Sequence, residues 1–375
     1  RDAQESRGLG DVYKRQDINR IKRNTAGSKA KDDIADICKK NGYNRVVLPT
    51  FPDKGSKIYK KLWLCIICPI NWIKLYFKIP KDAIVLYQHP MYGNRYTNKC
   101  VPILKKRKNI KFIAIVHDLE SLRQGIAGVI ENNTKTNEIA DNMLLKKMDY
   151  VICHNEKMKK YLIDKGFDSN RLILLGIFDY LTNIEKSEQI TPFDNNRCEV
   201  SIAGNLAIGK SGYIYELIKD YENNDKIFIN LYGNNFDETK ATSNSKWHGS
   251  FPAEKLPGII AGNFGIIWDG PSDESCKGNT GEYLKYNNPH KTSLYLASGL
   301  PVIIWKQAAM ADFILKNNLG IAVDSLKDIS KAISGLSNEE YEIMRKNVEI
   351  IGRKLREGEY FTKAFSTALD KIENE

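Results

Sequence analysis

The chain has 375 residues, 42% hydrophobic and 27% charged, enough for two packed domains and too apolar for disorder to be the default. Its net charge of +11 is uneven: residues 1–180 hold 35 Lys and Arg against 19 Asp and Glu, and residues 181–375 hold 22 against 27. A basic half attracts nucleic acid, an anionic membrane or a phosphorylated substrate, but no RNA-binding signature, zinc-finger spacing or basic zipper accompanies it, so no nucleic-acid partner is expected.

Residues 1–16 read as translated sequencing-adapter sequence, clearest at 10–16, and are set apart from the fold; the first strand is expected to be incomplete. Residues 17–181 then alternate β-rich runs at 45–48, 83–87, 111–116, 150–153 and 172–175 with helical patterns such as 30–40 and 156–165. This alternation predicts an N-terminal Rossmann-like domain with a mostly parallel sheet. Within it, residues 57–81 bracket apolar and aromatic residues with lysines. They are too short and interrupted to span a bilayer. A peripheral membrane contact and an ordinary core helix are equally open readings. Cys65 and Cys68 have redox spacing but sit in an apolar run without a second pair, so buried thiols are expected. With seven scattered cysteines and no visible signal peptide, a reducing, cytoplasmic location is expected, free or peripheral at the inner membrane face.

A polar linker at 182–197 separates this domain from a second alternation, with strands at 198–203, 227–232, 264–268, 301–304 and 320–323. These predict a C-terminal Rossmann-like domain over 198–336. Residues 337–375 close the chain with a capping box, Ser337 to Glu340, followed by Tyr341, Met344, Val348, Ile351 and Leu355 at helical spacing. Their apolar stripe is expected to be buried, with the first domain as one candidate surface.

In open α/β sheets ligands gather at the carboxyl ends of strands. Four such places stand out in the second domain: Gly204 and Asn205 with Lys210, Tyr232 and Gly233, Asp269 and Gly270, and the helix start from Asn288 to Thr292. In the last, Asn288 is expected to cap, Pro289 to open the helix and Gly299 to end it. The free N–H groups, Lys291 and Thr292 would receive a diphosphate, with His290 beside them. In the first domain His117 and Asp118 follow a strand as partners for proton transfer, His89 ends another, and Gly27 precedes a helix. A His-Asp pair that only caps the next helix is the plainer alternative. No Gly-x-Gly-x-x-Gly, phosphate-loop or Asp-x-Asp motif occurs, and the five histidines lack metal-ligand spacing, so neither cofactor nor metal is expected.

The chain from about Asp17 onward resembles a family of bacterial GT-B glycosyltransferases that includes O-antigen galactofuranosyltransferases and streptococcal adhesin glucosyltransferase 3. The resemblance lies in residues 116–123, His154 and Asn155 with Met158, 177–180, 203–206, 265–270 and 287–301. It implies two Rossmann-like domains facing a cleft, no metal, and a uridine-diphosphate sugar held by the second domain at Gly204, Asn205, Lys210, Tyr232, Asp269, Asn288, Lys291 and Thr292. A glycan acceptor would be reached from the first domain, where Gly27, His89 and Glu120 are assigned to the acceptor side. The expected reaction moves a hexosyl group, galactofuranose or glucose, to a sugar hydroxyl, with Lys291 stabilising the leaving diphosphate. Asp118, beside His117, takes the acceptor proton if configuration inverts. A sugar-nucleotide epimerase and a non-catalytic glycan-binding subunit are the alternatives, and a homo-oligomer is left open.

Overall fold

The computed structural model describes residues 9–10, 28–46, 48, 55–91, 96–126 and 137–375. Its first sheet holds five parallel strands in sequential order: Leu9–Gly10 (β1), Ile84–His89 (β2), Lys111–Val116 (β3), Tyr150–Cys153 (β4) and Leu172–Leu174 (β5). The inner strands are almost wholly apolar because both faces are covered. Val85, Tyr87, Phe112, Ala114 and Val116 meet Trp63, Trp72 and Leu75 on one face. Leu86, Ile113, Ile115 and Ile152 point the other way, onto Ile34 and Ile37 of the Lys29–Lys40 helix and onto Phe361 and Phe365 near the carboxyl terminus.

The second sheet is also parallel, with order β11-β10-β9-β6-β7-β8. Its strands are Cys198–Asn205 (β6), Ile227–Asn234 (β7), Ser245–Trp247 (β8), Phe264–Ile267 (β9), Val302–Trp305 (β10) and Gly320–Val323 (β11). Strands β6 and β7 run two residues beyond their predicted ends because Gly204 and Gly233 extend the ladder at φ +142° and +147°. A Cβ on Gly233 would lie 1.7 Å from the Gly204 carbonyl oxygen, so only glycine fits there. The three-residue strand β8 carries one hydrophobic residue, Trp247, too little to mark a strand in the sequence.

Three expectations change. No strand forms among the described residues of 45–48, although Val46 and Leu48 are core. The edge of β2 is paired instead with Leu9–Gly10, from the segment set apart on sequence grounds. Of the two expected buried thiols, Cys68 is buried but Cys65 is exposed, and all seven cysteines are free. Residues 337–375 form helices as expected: Ser337 and Glu340 make the capping box of Asn338–Glu357, then Gly358 at φ +82° turns the chain into Glu359–Glu373.

Candidate active site

Order in the second sheet reverses between β6 and β9, which are neighbours with parallel carboxyl ends. That switch point is where an open α/β sheet forms a crevice. Gly204 and Asn205 are exposed at the end of β6, and the Asn205 side chain accepts from the N–H of Ala207 (3.1 Å) and from Asn235 (3.0 Å), fixing the loop. Lys210 is exposed in the short Ile208–Ser211 helix. The loop after β9 clasps this one: the Tyr213 N–H reaches the Gly270 carbonyl at 3.3 Å, and a Cβ on Gly212 would lie 2.9 Å from the Pro271 oxygen.

Lys291 lies across the end of β9. Its ammonium donates to the Trp268 carbonyl (2.8 Å) and to the Asp269 carboxylate (3.1 Å), and its side chain keeps 18% exposure. It belongs to the first turn of the His290–Ala297 helix, whose last turn leads to Gly299 at φ +84°. The expected cap is different, however: Pro289 occupies the capping position and Asn288 lies one residue before it. Buried Asn288 spends its groups across the domain junction. Its N–H donates to His154 Nδ1, its amide donates to the carbonyls of His154 and Gly176, all at 2.9 Å, and its Oδ1 accepts from Asn155 at 2.6 Å. His290 stacks on Tyr180 at 5.1 Å, with Nε2 3.2 Å from the Asp179 carbonyl. Thr292, expected to receive the diphosphate, is instead fully buried below the helix start, its hydroxyl bonded to no partner among the described residues.

On the facing domain, His117 and Asp118 follow β3. His117 Nε2 sits 2.8 Å from Gln88 Oε1, whose amide nitrogen donates to the Lys31 carbonyl, so Nε2 carries the proton. Burial, and then the Lys31 charge, push the His117 pKa well below its usual value and keep the ring neutral. Burial raises the Asp118 carboxyl to about 6, opposed first by Arg123 and also by Lys31 and Lys210. Lys210 belongs to the other domain, so its charge acts on this carboxylate across the crevice. His154 donates from Nε2 to the Val116 carbonyl (2.9 Å) while Nδ1 accepts from Asn288, and burial lowers its pKa to about 4. A neutral imidazole thus joins the end of β3 to the start of the Lys291 helix.

Three further assigned residues take other places. Tyr232 is core: it is 1% exposed, stacks on His248 at 4.6 Å and accepts from the Ala261 N–H at 3.0 Å. Strand alternation turns it into the sheet face, while Gly233 stays at the edge. His89 is fully buried, 2.7 Å from Asp141 Oδ1, whose second oxygen holds the Ser121 N–H. Glu120 is buried under Arg123, which reaches both its oxygens at 2.7 Å; a carboxylate out of water needs such a cation. Both brace the loop carrying Asp118. Gly27 lies outside the described residues. Phe178, by contrast, was assigned no role, yet its ring meets His117, His154 and His290 at 5.5, 5.0 and 6.1 Å. A second bridge runs from the Leu119 N–H to the Tyr283 hydroxyl (2.8 Å) and from Asn279 to the Gln124 carbonyl (3.0 Å).

Comparison with known proteins fits this layout. Residues 16–177 match the model of the glucosyltransferase 3-like N-terminal domain, and residues 200–368 that of its C-terminal domain. The chain is 31% identical over 366 residues to the beta-1,6-galactofuranosyltransferase WbbI of Escherichia coli K12, covering 96% of this chain and 99% of that one. It is 25% identical over 344 residues to glucosyltransferase 3 of Streptococcus gordonii, with 89% and 91% covered. Among solved structures, Anabaena HepE in complex with UDP and glucose aligns with a TM-score of 0.58 over 97% of this chain and 98% of that chain, at 11% identity. Sucrose-phosphate synthase of Thermosynechococcus elongatus aligns at 0.60 over 96% and 97%, at 13% identity. These two likenesses establish the GT-B fold, and the matches along both halves of the sequence establish that the chain belongs to the glucosyltransferase 3-like family of glycosyltransferases.

Proposed function

We propose that this glycosyltransferase moves a hexosyl group, galactofuranose or glucose, from a uridine-diphosphate sugar to a sugar hydroxyl of a glycan or glycosylated acceptor, in the synthesis of cell-surface polysaccharide or glycoprotein. The observation that carries the reading is Lys291 lying over the β9 end, at the switch point and on the first turn of a helix whose start is pinned to the other domain. Peptide N–H groups and an ammonium at one place suit a departing diphosphate. The names of the relatives support a hexose donor, and the UDP found in HepE supports the nucleotide.

In this mechanism Gly204, Asn205 and Gly270 let the nucleotide approach the backbone, and Lys291 turns from Asp269 to the diphosphate as the glycosidic bond breaks, with Lys210 adding charge. Asp118 takes the acceptor proton, and His117, neutral and fixed by Gln88, orients the hydroxyl. Charge neutralisation is assigned to these groups, and no metal role is proposed. The free thiols support a reducing, cytoplasmic location.

A screen of uridine-diphosphate sugars, read as released UDP with and without acceptor, tests the reaction. One donor should be turned over in an acceptor-dependent way, and epimerisation of free donor would overturn the reading. Lys291→Ala should lower turnover by about 10²- to 10³-fold with the fold intact. Wild-type turnover in that variant removes Lys291 from the mechanism.

A further inference from the structure

One face of the first domain takes no part in this chemistry. Lys57–Leu62, Trp63–Ile67 and Cys68–Lys78 run on as one helical stretch, the middle piece a wide π-helical turn. Its inner side buries Trp63, Cys68, Trp72 and Leu75 in the core. A helix on a core normally turns polar residues outward. This one instead exposes Ile58 (81%), Leu62 (49%), Ile66 (49%), Ile70 (44%), Ile73 (56%) and Phe77 (76%), three or four residues apart and therefore in one line. Beside the line, Ile73 and Phe77 face Tyr96, Cys100 and Ile103 across an apolar groove of about 370 Å³.

An apolar line alone does not say what covers it, but the charge around it does. Between Gly55 and His117 the sequence holds thirteen Lys and Arg and one acid, Asp82. Lys57, Lys61, Lys74 and Lys78 are exposed along the same stretch. A second copy of the chain would set like charges against like. An anionic bilayer takes both features, since apolar side chains enter the boundary between headgroups and acyl chains while lysines meet phosphates. No described helix is long and apolar enough to cross a membrane, so the contact is with the surface.

We propose that the Ile58 to Phe77 line and its flanking lysines dock the acceptor-side domain onto an anionic lipid bilayer. The inference does not depend on the identity of the donor.

Sedimentation of the full chain with vesicles tests it. Binding to mixed phosphatidylglycerol and phosphatidylcholine vesicles should be about tenfold or more tighter than to phosphatidylcholine alone, and should weaken as salt rises. Phe77→Glu and, separately, Lys74→Glu should each reduce vesicle binding several-fold while transfer to a soluble acceptor stays at the wild-type rate. Both variants change exposed side chains, and either alone remains informative if the other fails to fold. Equal binding to neutral and anionic vesicles, or none to either, overturns the proposal. So does light scattering that shows a dimer which Phe77→Glu converts to monomer.

Discussion

Asp118 combines two properties that a proton acceptor needs: a position at the end of β3 on the crevice and a carboxyl raised by burial to about 6. A base acts when deprotonated, so kcat/KM should rise with pH through about 6 and level above it. Asp118→Asn should lose about 10²- to 10⁴-fold in turnover and lose that limb, with UDP affinity unchanged in calorimetry. A limb that persists in the variant would assign the titration to another group. His117 is no rival for it, because burial holds its pKa well below the ordinary imidazole value, and its Nε2 proton is committed to Gln88. In the proposed mechanism the two neighbours would divide the work, one titrating and one fixed, as their different surroundings dictate.

At the scale of elements, the proposed role of the His290–Ala297 helix requires its start to stay against the other domain, where the Asn288 hydrogen bonds hold it. Asn288→Ala would take that donor from the Gly176 carbonyl, at roughly 1–3 kcal/mol for a buried group left unsatisfied, whereas the His154 carbonyl keeps the Gly176 N–H at 3.0 Å. The denaturation midpoint should fall and UDP should bind more weakly. An unchanged midpoint would show that the junction is held elsewhere. The helix was legible in the sequence, since an Asn-Pro start and a Gly299 exit are local signals, but Asn288's partners lie 112 to 134 positions away and leave no local trace. Strands were readable for a related reason: β3, β4 and β10 are short, nearly continuous apolar runs, and such runs form buried parallel strands. What a strand end does not reveal is the direction of each side chain. Tyr232 and His89 therefore read as crevice residues and are core, while Phe178, in a stretch that carries the family resemblance but with no polar group to suggest a role, lies against three histidines.

For the whole molecule, the return of the chain from the second sheet to the first matters most. After Gly358 the Glu359–Glu373 helix lays Phe361, Ala364, Phe365 and Ala368 on the core face shared with Leu86, Ile113 and Ile152, so the last residues of the chain complete the first sheet's packing. The start of that helix is held by Asp179, which accepts from the N–H groups of Tyr360 (3.2 Å) and Phe361 (2.7 Å). Asp179 also lies beside His290, through its carbonyl, and so stands where helix, crevice and carboxyl-terminal strap meet. Burial raises its carboxyl from 3.8 to about 7 despite those two hydrogen bonds. The native state then keeps a proton that the unfolded chain releases above its lower pKa. This contribution to stability is complete below about pH 4 and is lost as pH rises through about 7. Asp179→Asn keeps a neutral acceptor and removes the titration. Unfolding followed in urea between pH 5 and 8 should therefore show a stability loss in the wild-type chain that is smaller in the variant, by roughly 2–4 kcal/mol over the full range of the shift. Parallel stability curves for the two chains would show that Asp179 is already ionised in the folded protein, and that the strap is held by a carboxylate at the helix start rather than by a shared proton.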